Sequence, residues 1–195
     1  MTRRTRAQTA GTVELALLAA LAAAPPAHVE ITAEAEQYAA RENDAVRRWQ
    51  VVRANHALPD TRRAQAGKLI AGENFSNKHG ELAAPHSQVE FAAAGRYYVR
   101  AGAYSAGTGD NSIHVGLNGE WPESGRRVRW CEGKNTWRWE SGQRTAANHC
   151  GEPGKIWLDA ASAGWHRAPF SMREDGFEFD RFTLTANPAF AAPAR

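Results

Sequence analysis

The chain has 195 residues, enough for one domain with a tail and enough to bury about 70% of the surface an unfolded chain exposes. With 24 basic and 21 acidic residues, its formal net charge is only +3, and the basic residues are dispersed or fall in short pairs such as Arg62-Arg63 and Arg126-Arg127. Neither a charge field nor a basic reader motif points to nucleic acid, and no apolar run reaches the roughly 20 residues of a stable membrane span.

The N-terminus predicts a signal peptide over residues 1–27. Arg3, Arg4 and Arg6 form a positive start, Leu15–Ala24 (LALLAALAAA) a short apolar run, and Pro25-Pro26-Ala27 a cleavage region. Glu14 at the edge of the run and the polar Gln8–Thr12 spacer also suit an Ala-rich helix. Export would place the mature chain outside the cell, in the periplasm or at the cell surface. The two cysteines, Cys131 and Cys150, then pair, whereas in a reducing cytosol they stay free thiols. Closing that loop of about 18 residues is worth about 3 kcal/mol in the chain-entropy account. Neither cysteine has a second ligand at zinc spacing.

Val29–Glu36 (VEITAEAE) alternates, with Val29, Ile31, Ala33 and Ala35 on one face and Glu30, Thr32, Glu34 and Glu36 on the other, and reads as a first strand. Its acidic face is either a solvated edge or half of a cation site. Residues 37–87 are broken by Leu58-Pro59-Asp60, Gly67, Gly72, Gly80 and Pro85 and read as a loop-rich insertion. Within them Trp49–Val52 suits a short strand, and Ala64–Ile70 a helical turn or a strand.

From Gln88 onward short strands alternate with turn residues. They are expected at Val89–Ala93, Arg96–Tyr104, Ile113–Leu117, Val128–Trp130, Thr136–Trp139 and Ile156–Asp159, with Asn118-Gly119 as a tight turn. Trp165–Met172 and Phe177–Leu184 read as a closing β-hairpin joined at Asp175-Gly176. In the last strand Phe177 and Phe179 differ in parity from Phe182 and Leu184, so both faces are covered or a bulge sits near Asp180-Arg181. Asp180 shares parity with Phe182 and Leu184, and a carboxylate among apolar groups must be paired, hydrogen-bonded or metal-bound. Residues 188–195 read as a tail or linker. The whole is an all-β chain, an antiparallel β-sandwich of jelly-roll kind over residues 28–187 with a loop-rich N-terminal insertion.

The Glu34-Ala35-Glu36 strand, AAGRYYVRAGAY (Ala93–Tyr104), NSIHVGLNG (Asn111–Gly119) and REDGFEFDRFTLT (Arg173–Thr185) together resemble the β-jelly-roll carbohydrate-binding modules of families 6 and 35. The resemblance runs from Val29 to Asn187 in outline and from Val89 to Thr185 in detail. It implies an extracellular, non-catalytic module that binds a polysaccharide or oligosaccharide, as found beside polysaccharide-degrading enzymes. It also implies a structural calcium held by Glu34, Glu36 and Asp180. An Asp180 ion pair with Arg100 or Arg181 is the competing account. Those modules follow the first strand with a Gly-Gly-aromatic segment, which residues 40–75 lack; Arg62–Gly80 replaces it.

Sugars offer flat C–H faces and rows of hydroxyls, so a site needs an exposed aromatic ring with polar groups at its rim. By analogy with those modules, loops at one end of the sandwich would bring together Tyr104, Asp110, Asn111, Trp121 and Asn187. Trp137 and Trp139 share a strand face, while Trp130, Trp157 and Trp165 read as core. Arg173-Glu174-Asp175 reads first as solvated turn chemistry and second as a contact to ligand hydroxyls or a uronic carboxylate. No G-x-S-x-G, H-E-x-x-H or phosphate loop is present, and no carboxylate spacing marks a glycosidase pair. Membership of a polysaccharide-degrading hydrolase or lyase, and a cell-surface protein-binding role, are the alternatives.

Overall fold

The structure is a computed structural model that describes residues 29–43, 48–53, 67–71, 79–80 and 84–189. The expected signal peptide and the end of the expected tail lie outside the described residues, as does most of the predicted insertion. Twelve strands follow in order: β1 (Glu30–Glu34), β2 (Ala40–Glu42), β3 (Trp49–Arg53), β4 (Gly67–Ala71), β5 (Ala84–Phe91), β6 (Gly95–Tyr104), β7 (Ser112–Val115), β8 (Val128–Arg129), β9 (Trp137–Glu140), β10 (Trp157–Ala160), β11 (Gly164–Met172) and β12 (Glu178–Thr185). Helix among the described residues is limited to a 3-10 turn at Glu123–Gly125.

The strands form two antiparallel sheets. One has seven strands around two long central ones, β6 and β12, which pair with each other. Each central strand has its other edge shared by two partners: β10 and β9 on β6, β1 and β4 on β12. The other sheet has five strands in the order β2-β5-β11-β7-β8. Strand alternation puts Val89, Phe91, Ile113, Val115, Ala168, Phe170 and Met172 on the inner face of the five-stranded sheet and Tyr97, Val99, Ala101, Ala103, Phe182 and Leu184 on the inner face of its partner. Phe170 bridges the layers, with its ring centroid 4.7 Å from that of Phe179 and 4.6 Å from that of Phe182. Full burial of such a ring contributes about 1.5–3 kcal/mol.

The parity conflict in β12 is resolved by a bulge. The β12–β6 register shifts between Phe179 and Arg181, which lets Phe179, Phe182 and Leu184 all enter the core while Asp180 is fully buried. The Asn118-Gly119 turn forms as expected: Leu117 and Glu120 exchange backbone hydrogen bonds of 2.9 Å, and both turn residues have positive φ.

The closing hairpin is not one. β11 and β12 lie within one residue of their expected bounds, but β11 pairs with β5 and β7, and β12 pairs with β1, β4 and β6. The Asp175-Gly176 turn, with Gly176 at φ 72°, therefore carries the chain from one sheet to the other. The reason lies in the side chains: Met172 ends β11 and Phe177 immediately precedes β12, and both are buried in the core between the sheets.

Candidate functional site

The outer face of the five-stranded sheet carries the most exposed large apolar side chain. Trp165, expected in the core, is 67% exposed. It belongs to the outward parity of β11 with Arg167, opposite to Ala168, Phe170 and Met172. Across the ladder Trp165 faces Glu90, and Arg167 faces Gln88, all four exposed. The signal missed in the sequence is that parity, since counting back from the buried Phe170 puts Trp165 outside. Trp130, by contrast, is 1% exposed, and Trp157 is half-buried beneath the Arg96 guanidinium, 4.5 Å from its ring centre.

Trp165 borders a surface cavity of about 460 Å³ that it shares with Gln88, Asn118, Gly119, His166 and Arg167. The wall is rigid. The Asn118 backbone N–H donates to the Arg167 carbonyl at 2.8 Å, and the Arg167 N–H donates back to Asn118 Oδ1 at 3.0 Å. His166 Nε2 meets the Ser162 carbonyl at 3.0 Å, so that nitrogen carries the proton; Nδ1, 2.8 Å from Asn118 Nδ2, accepts. The imidazole is thereby committed at both nitrogens. The arrangement offers one flat apolar surface and a rim of amide, guanidinium and carboxylate groups, which suits hydroxyl-rich rings.

The five residues expected to form one loop site are only partly brought together: Asp110 and Asn111 bond back to the loop that follows Tyr104, and Asn187 does not join them. Tyr104 and Asn187 lie at opposite ends of the seven-stranded sheet. Tyr104 pairs with Glu178 at the start of β12, and Asn187 follows Thr185 at its end, about 23 Å away at strand rise. Tyr104 is buried, donates to Asn135 Oδ1 at 3.2 Å and packs on Trp137. Asp110 organises its own loop, accepting from the backbone N–H groups of Ala106 and Gly107 at 2.7 Å each. Asn111 is buried and donates its backbone N–H to Glu174 Oε2 at 2.6 Å. Asn187 accepts from the Ala189 N–H at 3.0 Å. Trp121 is half-buried on the outer face of the five-stranded sheet, its ring pressed against the backbones of Gly80 and Gly116, where any added Cβ would collide with it.

Arg173 and Glu174 are not solvated. They are 1% and 3% exposed, and Glu174 Oε1 pairs with both Arg173 and Arg129, the latter at 3.4 Å. Met172 and Phe177 pull the connection inward, and only Asp175 and Gly176 remain at the surface. Arg173 also donates to the Ser112 hydroxyl.

The three expected calcium ligands lie near one another where β1 meets β12. The Ala35 N–H donates to the Asp180 carbonyl at 2.7 Å. Burial, with the Glu34 and Asp180 carboxylates close by, pushes the Glu36 carboxyl above its usual range, and the backbone N–H of Glu36 and Arg181 act against the rise. Arg181 lies among them, 2.9 Å from Asp180 Oδ2 and 3.6 Å from Glu34 Oε2. Of the two readings of Asp180, the arginine pair is thus present. Glu36 Oε2 is buried without a hydrogen bond. A dication fits that orphaned oxygen beside two further carboxylates. In the present geometry, no group of three or more His, Cys, Asp or Glu side chains among the described residues is set to hold a metal. The carboxylates would have to turn from Arg181 to do so.

Two antiparallel sheets packed face to face around a single core define the chain as a jelly-roll β-sandwich. Its fold is that of a family 35 carbohydrate-binding module: it aligns with such a module from Paenibacillus barcinonensis at a TM-score of 0.50 and 16% identity, over 80% of this chain and 99% of that one. A family 35 module from Clostridium thermocellum aligns at 0.47 and 12% identity, over 80% and 97%. In sequence, the chain is 56% identical over 130 residues to the uncharacterised protein P23 of Formosa agariphila, a match that takes in 67% of this chain. It spans only 32% of the length of that relative. No family model matches the chain. No helix among the described residues is long and apolar enough to cross a membrane.

Proposed function

We propose that the chain is an extracellular, non-catalytic module that binds a polysaccharide, and that Trp165 is its principal sugar platform. One observation carries the reading: an indole 67% exposed on an ordered sheet face, beside the cavity rimmed by Gln88, Asn118 and Arg167. An indole two-thirds exposed adds little to the core, and its open face suits stacking on a sugar ring. The fold shared with a family 35 module supports it, as does the similarity to part of a longer protein. The Cys131–Cys150 disulfide supports an oxidising compartment. Commitment of both His166 nitrogens favours binding over proton transfer, because a general base needs a free nitrogen.

A divalent cation, calcium by its preference for carboxylate oxygen, is proposed at Glu34, Glu36 and Asp180. When bound it would supply charge neutralisation and a tie between β1 and β12, with no part in sugar chemistry.

Retention on a panel of soluble and insoluble polysaccharides tests the main reading, with parallel assays for reducing ends and unsaturated products. Retention without products is expected, with Trp165→Ala weakening it at least about tenfold at an unchanged melting temperature. Product formation, or full retention by Trp165→Ala, would overturn it.

A further inference from the structure

At the opposite end of the same sheet face, donors outnumber acceptors. Arg127, Arg129, Arg144 and Arg173 cluster there with two carboxylates: Arg127 pairs with Glu123, and Arg129 and Arg173 share Glu174. Arg144 makes no ion pair among the described residues and borders, with Arg127, Thr145 and Ala146, a notch of about 400 Å³. His149 lies between two guanidinium groups. Arg144 Nε donates to its Nδ1 at 3.2 Å, and Arg129 Nη2 stands 2.9 Å from its Nε2. A neutral imidazole accepts at one nitrogen only, so one of these contacts lacks an acceptor. Arg129 itself is 5% exposed, and its Nε is buried with no hydrogen-bond partner. Leaving such a donor unpaired is costly unless something arrives to accept from it.

The frame is built before any ligand arrives. The Arg144 N–H donates to the Arg127 carbonyl at 3.0 Å, and Arg127 Nε donates to the Arg144 carbonyl at 3.0 Å. Thr145 and Asn148 close a turn with two bonds of 2.9 Å. The disulfide at Cys150 holds the residue next to His149.

We propose that the notch bordered by Arg127 and Arg144, with the adjoining His149 and the buried Arg129 in support, binds an oxyanion substituent, a carboxylate or sulfate ester, of the polysaccharide. This rests on the reading above for the nature of the ligand, but not for the existence of the notch. Guanidinium groups suit planar or tetrahedral oxyanions because their N–H donors are fixed in a fork. The charges of Arg129 and Arg144 lower the affinity of His149 for a proton, and a bound anion would act against them and make the ring its reporter.

The first test uses inorganic sulfate and glucuronate as probes at matched ionic strength, following the His149 ring by NMR. Saturable shifts and a raised His149 pKa are expected in the wild type and in Trp165→Ala, and neither in Arg144→Gln. Absence of saturation in the wild type, or its persistence in Arg144→Gln, overturns the notch. The second test uses a sulfated polysaccharide with its desulfated form, and a polyuronate with its carboxyl-reduced form. Arg144→Gln should lower affinity for one charged member about tenfold and leave its neutral partner unchanged. The pair that responds identifies sulfate or carboxylate. Equal loss on both members, or none, overturns the assignment. If the wild type retains polysaccharide through Trp165 but neither probe saturates the notch, the notch fails and the module stands. If sulfate or glucuronate saturates the notch but no polysaccharide binds, the module reading fails and the notch stands.

Discussion

His114 shows what a single residue can fix. It sits on β7, almost fully buried, and Nδ1 accepts the Arg127 N–H at 3.0 Å. Burial first, then the charges of Arg173, His79, Arg127 and Arg126, depress its pKa from 6.5 to about 3. The folded state therefore binds this proton less readily than the unfolded chain. The associated stability is complete above pH 6.5 and drains away as pH falls toward 3, at about 1.4 kcal/mol per unit. Chemical denaturation between pH 7 and 4 should show this slope in the wild type, and His114→Gln should flatten it. Equal slopes would mean that other groups carry the acid sensitivity. Glu36 has the opposite sign. Its raised pKa means that stability is full below its unfolded value near 4.5 and falls as pH climbs through the folded one. At neutral pH in chelator Glu36→Gln should melt higher than the wild type. With calcium added the wild type should rise and Glu36→Gln should not. A wild-type melting curve identical in calcium and chelator would sink the cation proposal.

At the scale of elements, the Cys131–Cys150 disulfide closes a segment that regular structure holds only through β9. Replacing both cysteines with serine should cost about 3 kcal/mol by urea titration. It should also erase the saturable sulfate response of His149, whose neighbour would be untethered. Retained stability would mean that the hydrogen-bonded turns around Asn148 suffice. Most strands were legible because their alternation and turn residues are local properties. The bulge at Asp180 was legible for the same reason, since two parities in one strand admit few solutions. The pairing of β11 was not. Asp-Gly specifies a tight change of direction, but whether the next strand lies beside the last or in the facing sheet depends on which side chains meet across the core. That error carried over to the site. Once β11 is taken as folded back on β12, Arg173-Glu174 looks like a solvated turn, whereas the core expectation for Trp165 rests only on tryptophans in sandwiches usually being buried. The separation of Tyr104 from Asn187 was hidden too, since it follows from strand direction rather than residue type.

Across the whole molecule, the outer face of the five-stranded sheet orders these features along one line. Trp165 stands near the start of β11, and Arg173, beside Arg129, lies just past its end, about 26 Å away at strand rise. Trp121 lies between them: its ring packs on Gly116, whose N–H donates to the Pro169 carbonyl at 2.9 Å. Between Trp165 and Arg173, His79 and Gly80 cover β11: the Gly80 N–H donates to Ser171 Oγ at 3.1 Å, the His79 ring packs on His114, and Ser171 is buried. A polysaccharide chain would therefore pass over this segment and Trp121 from the exposed indole to the cationic notch. Tethering a second contact through the same chain raises its effective concentration, so affinity should grow by steps rather than smoothly with oligosaccharide length. Short oligosaccharides should depend on Trp165 alone and be indifferent to Arg144→Gln. Oligosaccharides long enough to span the face should gain at least about tenfold when they carry an oxyanion, with the gain lost in Arg144→Gln and reduced in Trp121→Ala. Calorimetric titration with a graded series of charged oligosaccharides measures this directly. A length dependence that Arg144→Gln leaves intact would place the ligand across the strands instead of along them, and would part the notch from the platform.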